Sequence, residues 1–200
     1  NEPETTMKTT PLSTVLARTA SIALLGASLA LGAACSTTPK SESSRKVLTA
    51  DVNAFVVRLR ELDPSLKTFF DNCVGYAAFP SIAKGGLIIG GAYGKGQYFA
   101  KSGRLEGYCD VTQGSIGAQI GGQAFGEIIF FQTKDAVTAF KGGQFAFSAT
   151  VSAVAVKAGA GAAAKYENGV AVFIANPEGL MLEASVGGQQ FGYQSLADIE

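Results

Sequence analysis

Glycine placement is the tightest constraint on this chain. Of its 25 glycines, only Gly26 and Gly32 precede residue 75, and the rest are spread through the remainder. In that glycine-rich part the apolar runs are short and β-branched or aromatic. Many are bounded by Gly or Asn-Gly, as in Glu167-Asn168-Gly169-Val170, a signal for tight turns between strands. The runs predict strands over Gly75–Phe79, Gly86–Ala92, Gln97–Lys101, Tyr108–Gln113, Ser115–Gln123, Glu127–Gln132, Phe145–Val156, Val170–Ala175 and Leu180–Val186. Gly90, Gly91, Gly117, Gly121, Gly122, Gly187 and Gly188 fall inside or beside these patterns. A strand weakened by glycine gains the ability to bulge, bend sharply and let neighbouring backbones approach. The expected fold is therefore α+β and β-dominated: a curved antiparallel sheet forming a small barrel or sandwich. A Gly-Gly-Gln pattern with a nearby Phe recurs at Gly121–Phe125, Gly142–Phe145 and Gly187–Phe191, at irregular spacing. It reads as strand-edge bulges and not as a solenoid.

Helical signals lie before the sheet and once within it. Leu48, Val52, Phe55, Val56, Leu59 and Leu62 form one apolar stripe at helical spacing, with Arg45, Lys46, Arg58 and Arg60 outside it. That stripe has two destinations, the sheet as core or a bilayer interface with the arginines on phosphates. Asp63-Pro64 stops the helix and caps a shorter one carrying Leu66, Phe69, Phe70 and Cys73. Thr133 to Gly142 predicts an inserted helix of about two turns, with Thr133 as cap, Asp135 in the first turn and Lys141 in the last.

The first residues do not belong to the fold. From Met7 the chain has a positive region with Lys8 and Arg18, an apolar run from Ala20 to Leu31, and small residues Gly32, Ala33 and Ala34 before Cys35. This is the layout of an export signal, and its apolar run is short of the roughly twenty residues a spanning helix needs. The cysteine after small residues resembles a bacterial lipobox, with Leu31 one step further back than the usual leucine. Diacylation of Cys35 would give a stable anchor, two chains sufficing where one is marginal. The expected organisation is a signal peptide over 1–34 with extra residues before Met7, a lipidated flexible tether over 35–44, a folded domain over 45–196 and a tail over 197–200. The expected location is the bacterial cell envelope, as an outer membrane lipoprotein facing the periplasm.

Charge and composition exclude several functions. The formal charge is zero, yet Cys35 to Arg104 holds ten basic residues against five acids, and the balance reverses to four against nine beyond it. That asymmetry suits contact with anionic head groups and is far too mild for nucleic acid. Histidine is absent, which rules out Ser-His-Asp and Cys-His arrangements and any His-based metal site. Cys73 and Cys109 are too few for a zinc site; they could form one disulfide in an oxidising envelope or stand as two buried thiols that never meet. Ile89–Gly96 fails the P-loop spacing, since Ile89 replaces the first Gly and Gly96 sits where Ser or Thr must hold magnesium. Gly94-Lys95-Gly96 is left as a hairpin tip offering a lysine and exposed amides to an anion. Glu106 with Asp110, and Glu127 with Glu183, are the carboxylate pairs available for acid/base work, and nothing places either around a cleft. The expectation is a protein that catalyses nothing and needs no cofactor.

The stretches Gly75–Phe99 (GYAAFPSIAKGGLIIGGAYGKGQYF), Gly114–Phe131 (GSIGAQIGGQAFGEIIFF) and Gly179–Phe191 resemble the SYLF domain, which occurs in bacterial lipoproteins and in eukaryotic actin regulators. The resemblance implies phospholipid binding, of phosphoinositide-type head groups especially, through an N-terminal amphipathic helix and basic residues. Lys84 and Lys95 lie in the matching motifs, Arg58 and Arg60 lie on the helix by position only, with no motif match, and Lys101 and Arg104 complete the candidate set. Actin is not expected as a partner in a bacterium, so the implied partner is membrane phospholipid. The alternative is a structural or protein-interaction envelope lipoprotein with no specific lipid ligand.

Overall fold

A computed structural model describes residues 37–86, 89–116, 123–143, 153–175 and 188–199. Cys35, the export signal and the expected strand over 180–186 lie outside the described residues, as does most of the expected strand over 145–156. In chain order the elements are α1 (Glu42–Leu62), a 3-10 turn (Pro64–Leu66), α2 (Lys67–Asn72), β1 (Gly75–Gly86), β2 (Ile89–Ala100), β3 (Leu105–Ile116) and β4 (Gln123–Phe131). There follow α3 (Lys134–Lys141), β5 (Ala153–Ala155), α4 (Ala160–Ala163), β6 (Val170–Ala175), β7 (Gln189–Ser195) and a 3-10 turn (Leu196–Asp198). The strands form one sheet in the order β5-β6-β4-β1-β2-β3-β7. Every ladder is antiparallel except the short β5–β6 pair.

The fold is β-dominated α+β, and its sheet is strongly curved. Phe79 on β1 and Phe191 on β7 have ring centroids 5.8 Å apart, although β2 and β3 separate their strands. At about 4.8 Å per strand, three steps across a flat sheet would span about 14 Å. The curl wraps around Phe140 of α3, whose ring lies 4.9 Å from Phe131 on β4, 6.0 Å from Tyr98 on β2 and 5.6 Å from Phe191 on β7. Closure into a barrel does not follow, since no ladder joins β5 to β7 among the described residues.

Apolar residues cover both faces. The concave face buries Phe79, Ile82, Tyr98, Val111, Ile129, Phe131, Phe140 and Val172, among others. The opposite face buries Leu48, Val52, Phe55 and Leu59 of α1, Phe69 and Phe70 of α2, and Tyr76, Phe99, Phe130 and Phe173 of the sheet. Of the two destinations for the α1 stripe, the structure takes the sheet. Each fully buried Phe contributes roughly 1.5–3 kcal/mol. Helix α1 starts earlier than its apolar stripe because Ser41 caps it, accepting from the Ser44 amide at 3.1 Å, and because Glu42 pairs with Lys46 at 2.6 Å.

Within the segment expected as a tether over 35–44, two residues contact the sheet. Thr38 is buried and donates to Gln194 Oε1 on β7 at 2.5 Å, while Thr37 O accepts from Lys95 Nζ at 3.3 Å. The chain is therefore seated on the sheet from Thr37 onward. At the other end of the chain, Leu196 and, within the expected tail over 197–200, Ile199 pack against the helix-side cluster.

Three other differences have physical reasons. Strand β1 runs on past Phe79 because Pro80 falls at a bulge, where the registers with β2 and β4 both shift and no ladder amide is needed. Gly94-Lys95-Gly96 is no hairpin tip but the middle of β2, with Lys95 opposite both Ser81 and Asp110. Its glycines serve close approach: a Cβ on Gly96 would lie 2.5 Å from Ala78 O and 2.6 Å from Phe79 Cδ1. Gly96→Ala should therefore overpack the concave face and cost about 1–3 kcal/mol in urea unfolding. Gly114→Ala, where an added Cβ meets nothing within 4 Å, should stay near the wild-type value.

Candidate functional site

Two of the six candidate cations converge at one end of the sheet. The chain leaves α1 there, turns at Asp63-Pro64, passes through α2 and enters β1 at Gly75. Asp63 fixes the corner: its carboxylate accepts from the Ser65 amide (3.1 Å), Ser65 Oγ (2.6 Å), the Gly159 amide (3.1 Å) and the Gly161 amide (2.7 Å). Burial alone would raise this carboxyl, but the hydrogen bonds from Ser65, Gly161 and Gly159 outweigh it and hold it below its usual range. Beside the corner is an open depression of about 480 Å³ lined by Arg60, Pro64, Lys67, Phe70, Asp71, Tyr76, Lys101, Ser102 and Gly103.

The depression has an aromatic floor and a cationic rim. The Arg60 guanidinium lies 3.9 Å from the Phe70 ring centroid, a cation–π placement. Phe70 meets Tyr76 edge-on at 5.3 Å, and Tyr76 stacks on Phe99 at 5.1 Å. Lys101 is exposed, at the head of the β2–β3 turn, where Gly103 takes φ +79°. Lys67 is balanced by its ion pair with Asp71, so Arg60 and Lys101 supply the uncompensated charge of the rim.

The remaining four candidates are elsewhere, and the six do not share one face. Arg104 turns away from the depression to Glu106 Oε1 at 2.9 Å. Arg58 is exposed at a second, smaller hollow with Phe55, Pro80, Ser81, Phe125, Gly126 and Ala175. Lys84 is half-buried opposite Ala92, a concave-face residue, and stands nine residues, or about 30 Å, along β1 from Gly75. Lys95 belongs to the helix-side face, where it reaches Thr37 O. The split follows from the period of two along a strand, which the sequence motifs around Lys84 and Lys95 do not reveal.

Cys73 and Cys109 are both free and buried, Cys73 in the helix-side cluster and Cys109 in the concave one. The sheet lies between them, so of the two readings, one disulfide or two buried thiols that never meet, the structure takes the thiols. Burial raises both thiols, which keeps them unreactive. Glu106 and Asp110 do not pair either. Glu106, at a register shift between β2 and β3, is held by Lys141 Nζ at 2.7 Å and by Arg104; those two hydrogen bonds, Lys141 first, hold its carboxyl below the usual range. Glu183 lies outside the described residues. Among the described residues there is no cluster of three metal-capable side chains and no helix long and apolar enough to cross a membrane.

Residues 112–195 match the family described as Ysc84, Las17-binding protein actin regulator. Beta cell expansion factor A of Aeromonas veronii is 29% identical over 154 residues, covering 76% of this chain and 59% of that protein. The chain thus spans less than two thirds of this relative's length. The family match takes in the second half of β3 and everything through β7, and the Arg60–Lys101 depression precedes it.

The corner at Asp63 makes a pH-dependent prediction. Its folded carboxyl is depressed, so its stabilisation is present above the unfolded value and lost as pH falls through the folded one. Asp63→Asn should lose about 1.5–3 kcal/mol at pH 7 and flatten the acid limb of a thermal-unfolding profile between pH 5 and 2.

Proposed function

We propose that this chain, which carries the domain of the SYLF (Ysc84) family over residues 112–195, is a binding protein for anionic phospholipid surfaces and not a catalyst. The matching family is described as a Las17-binding actin regulator, which supports a binding role; the choice of lipid is this reading's own. The observation that carries it is the pairing of Arg60 and Lys101 over the Phe70–Tyr76 floor. A phosphate at the rim would meet two cations, and the apolar portion next to it would meet aromatic rings. Lys and Arg near an anionic bilayer are worth about 1 kcal/mol each, which suits a surface contact reinforced by an anchor.

Acylation of Cys35 is part of the proposal. It would leave only Ser36 between the acyl chains and the seated Thr37, so the domain would have little slack above its bilayer. The outward side of α1, with Val47 and Val57 exposed, offers apolar contact as well. Location in the bacterial envelope follows from the same reading.

Flotation of an acyl-free Cys35→Ser form on vesicles tests the head-group contact. Binding should be stronger on phosphatidylglycerol-containing vesicles than on neutral phosphatidylcholine. Arg60→Gln with Lys101→Gln should weaken it by about 2 kcal/mol, roughly 30-fold, and Lys84→Gln should leave it within about twofold of the parent. Equal flotation on both vesicle types would remove the proposal. Concentration-dependent oligomers with no lipid preference would favour the structural-lipoprotein alternative.

A further inference from the structure

The concave face contains a polar contact that the lipid reading does not use. Glu127 on β4 and Gln189 on β7 are both fully buried, and Gln189 Nε2 donates to Glu127 Oε2 at 2.9 Å. Three strands, β1, β2 and β3, separate β4 from β7 in the sheet. Four strand steps would span about 19 Å if the sheet were flat, so this bond exists only because the sheet curls. It ties an edge strand back to the far side of the concavity.

The donor and acceptor count is unbalanced as it stands. Among the described residues, neither Glu127 Oε1 nor Gln189 Oε1, both buried, has a hydrogen-bond partner. Two buried acceptors with no donor are costly, and a carboxylate in that position costs more still. One proton on Glu127 removes the imbalance. A carboxylic acid can donate from Oε1 to an amide oxygen while its other oxygen accepts from the amide nitrogen, which satisfies all four atoms of the pair.

We infer that Glu127 and Gln189 form a proton-dependent clasp across the curled sheet, in which neutral Glu127 donates to Gln189 Oε1 and its ionisation loosens edge strand β7. The surroundings favour the neutral acid. In the ladders Glu127 lies opposite Phe79 and Ile174, and Phe125, Ile82 and Phe191 share its face. Strands β6 and β7 contribute no charged residue. On β1, Lys84 lies opposite Gln123, four residues or about 13 Å along β4. On β2 and β3, Lys95 and Asp110 are paired in register on the helix-side face, and Glu106 is taken by Lys141 and Arg104. On α3, Lys134 and Asp135 are exposed and Lys141 faces Glu106. Burial pushes the Glu127 carboxyl up to about 7, with the Gln189 hydrogen bond acting in the opposite direction.

The direction of the pH effect follows from that raised value. Stability from the clasp is complete below the unfolded carboxyl range and is lost as pH rises through about 7. This is opposite to the contributions of Asp63 and Glu106, which fade as pH falls.

Carbon-13 NMR of Glu-labelled full chain, with Glu127 assigned by its loss in Glu127→Gln, measures the protonation state directly. The carboxyl should be neutral at pH 5 and ionise near neutrality. Amide-exchange protection factors across β7 should fall on the order of 100-fold between pH 5 and 8, and stay level in Glu127→Gln, whose amide cannot ionise. A Glu127 carboxyl already ionised at pH 5, or an equal fall in protection in both proteins, would overturn the clasp. If Glu127→Gln does not fold, a Glu→Asp-substituted Glu127 variant supplies the assignment, and the wild-type titration decides the matter.

Discussion

Curling of the sheet is the constraint on which the other features depend. Phe140 is fully buried because strands on either side of it bend until Tyr98, Phe131 and Phe191 all reach its ring. The bend needs positions where a side chain would block it, and Gly94 and Gly96 supply two, leaving space for Ile82 and Phe79. It also needs α3 to be held in place, and Lys141 does this at the helix end. Its ammonium binds Glu106 and lies 4.5 Å from the centre of the Tyr98 ring. A register shift between β2 and β3, a glycine pair and one inserted helix thus cooperate to make a concave aromatic core. The other face is left free for α1 and α2, and it is their junction with β1 that forms the Arg60–Lys101 depression.

Much of this was legible in the sequence. Helical spacing from Leu48 to Leu62 located α1, the caps at Thr133 and Gly142 located α3, and the density of glycine announced a bent sheet. What could not be read was side and register. Lys84 and Lys95 look adjacent in motifs of similar composition, yet a bulge at Pro80 and the alternation of strand faces put them on opposite sides of the sheet. Cys73 and Cys109 were plausible partners by number and compartment alone, and the sheet separates them. The break expected within β1 is Pro80 at a bulge, and the one within β2 is Gly94 and Gly96, used for close approach and not for a turn. Asp63 was visible as a cap, but its bonds to Gly159 and Gly161 join residues nearly a hundred positions apart. No local pattern encodes that.

The site is consequently narrower than its sequence precursor. Six cations contract to two, one from the last turn of α1 and one from the β2–β3 turn, placed together by Asp63 and by the Phe70–Tyr76–Phe99 stack. An arginine over an aromatic ring is positioned before a ligand arrives, which lowers the ordering cost of binding. The depression is open, with Arg60 and Lys101 at its rim and Phe70 and Tyr76 beneath, an arrangement suited to holding an anionic group at a surface. Thr37 and Thr38 are seated on β2 and β7 as well, through Lys95 and Gln194.

Hydrogen–deuterium exchange of the Cys35→Ser protein, with and without phosphatidylglycerol vesicles, gives the most direct view of which surface meets lipid. The account predicts that vesicles slow exchange in peptides covering residues 57–76 and 99–105, with little change across 84–95. Protection centred on 84–95, or none anywhere under conditions where the protein floats with vesicles, would contradict it.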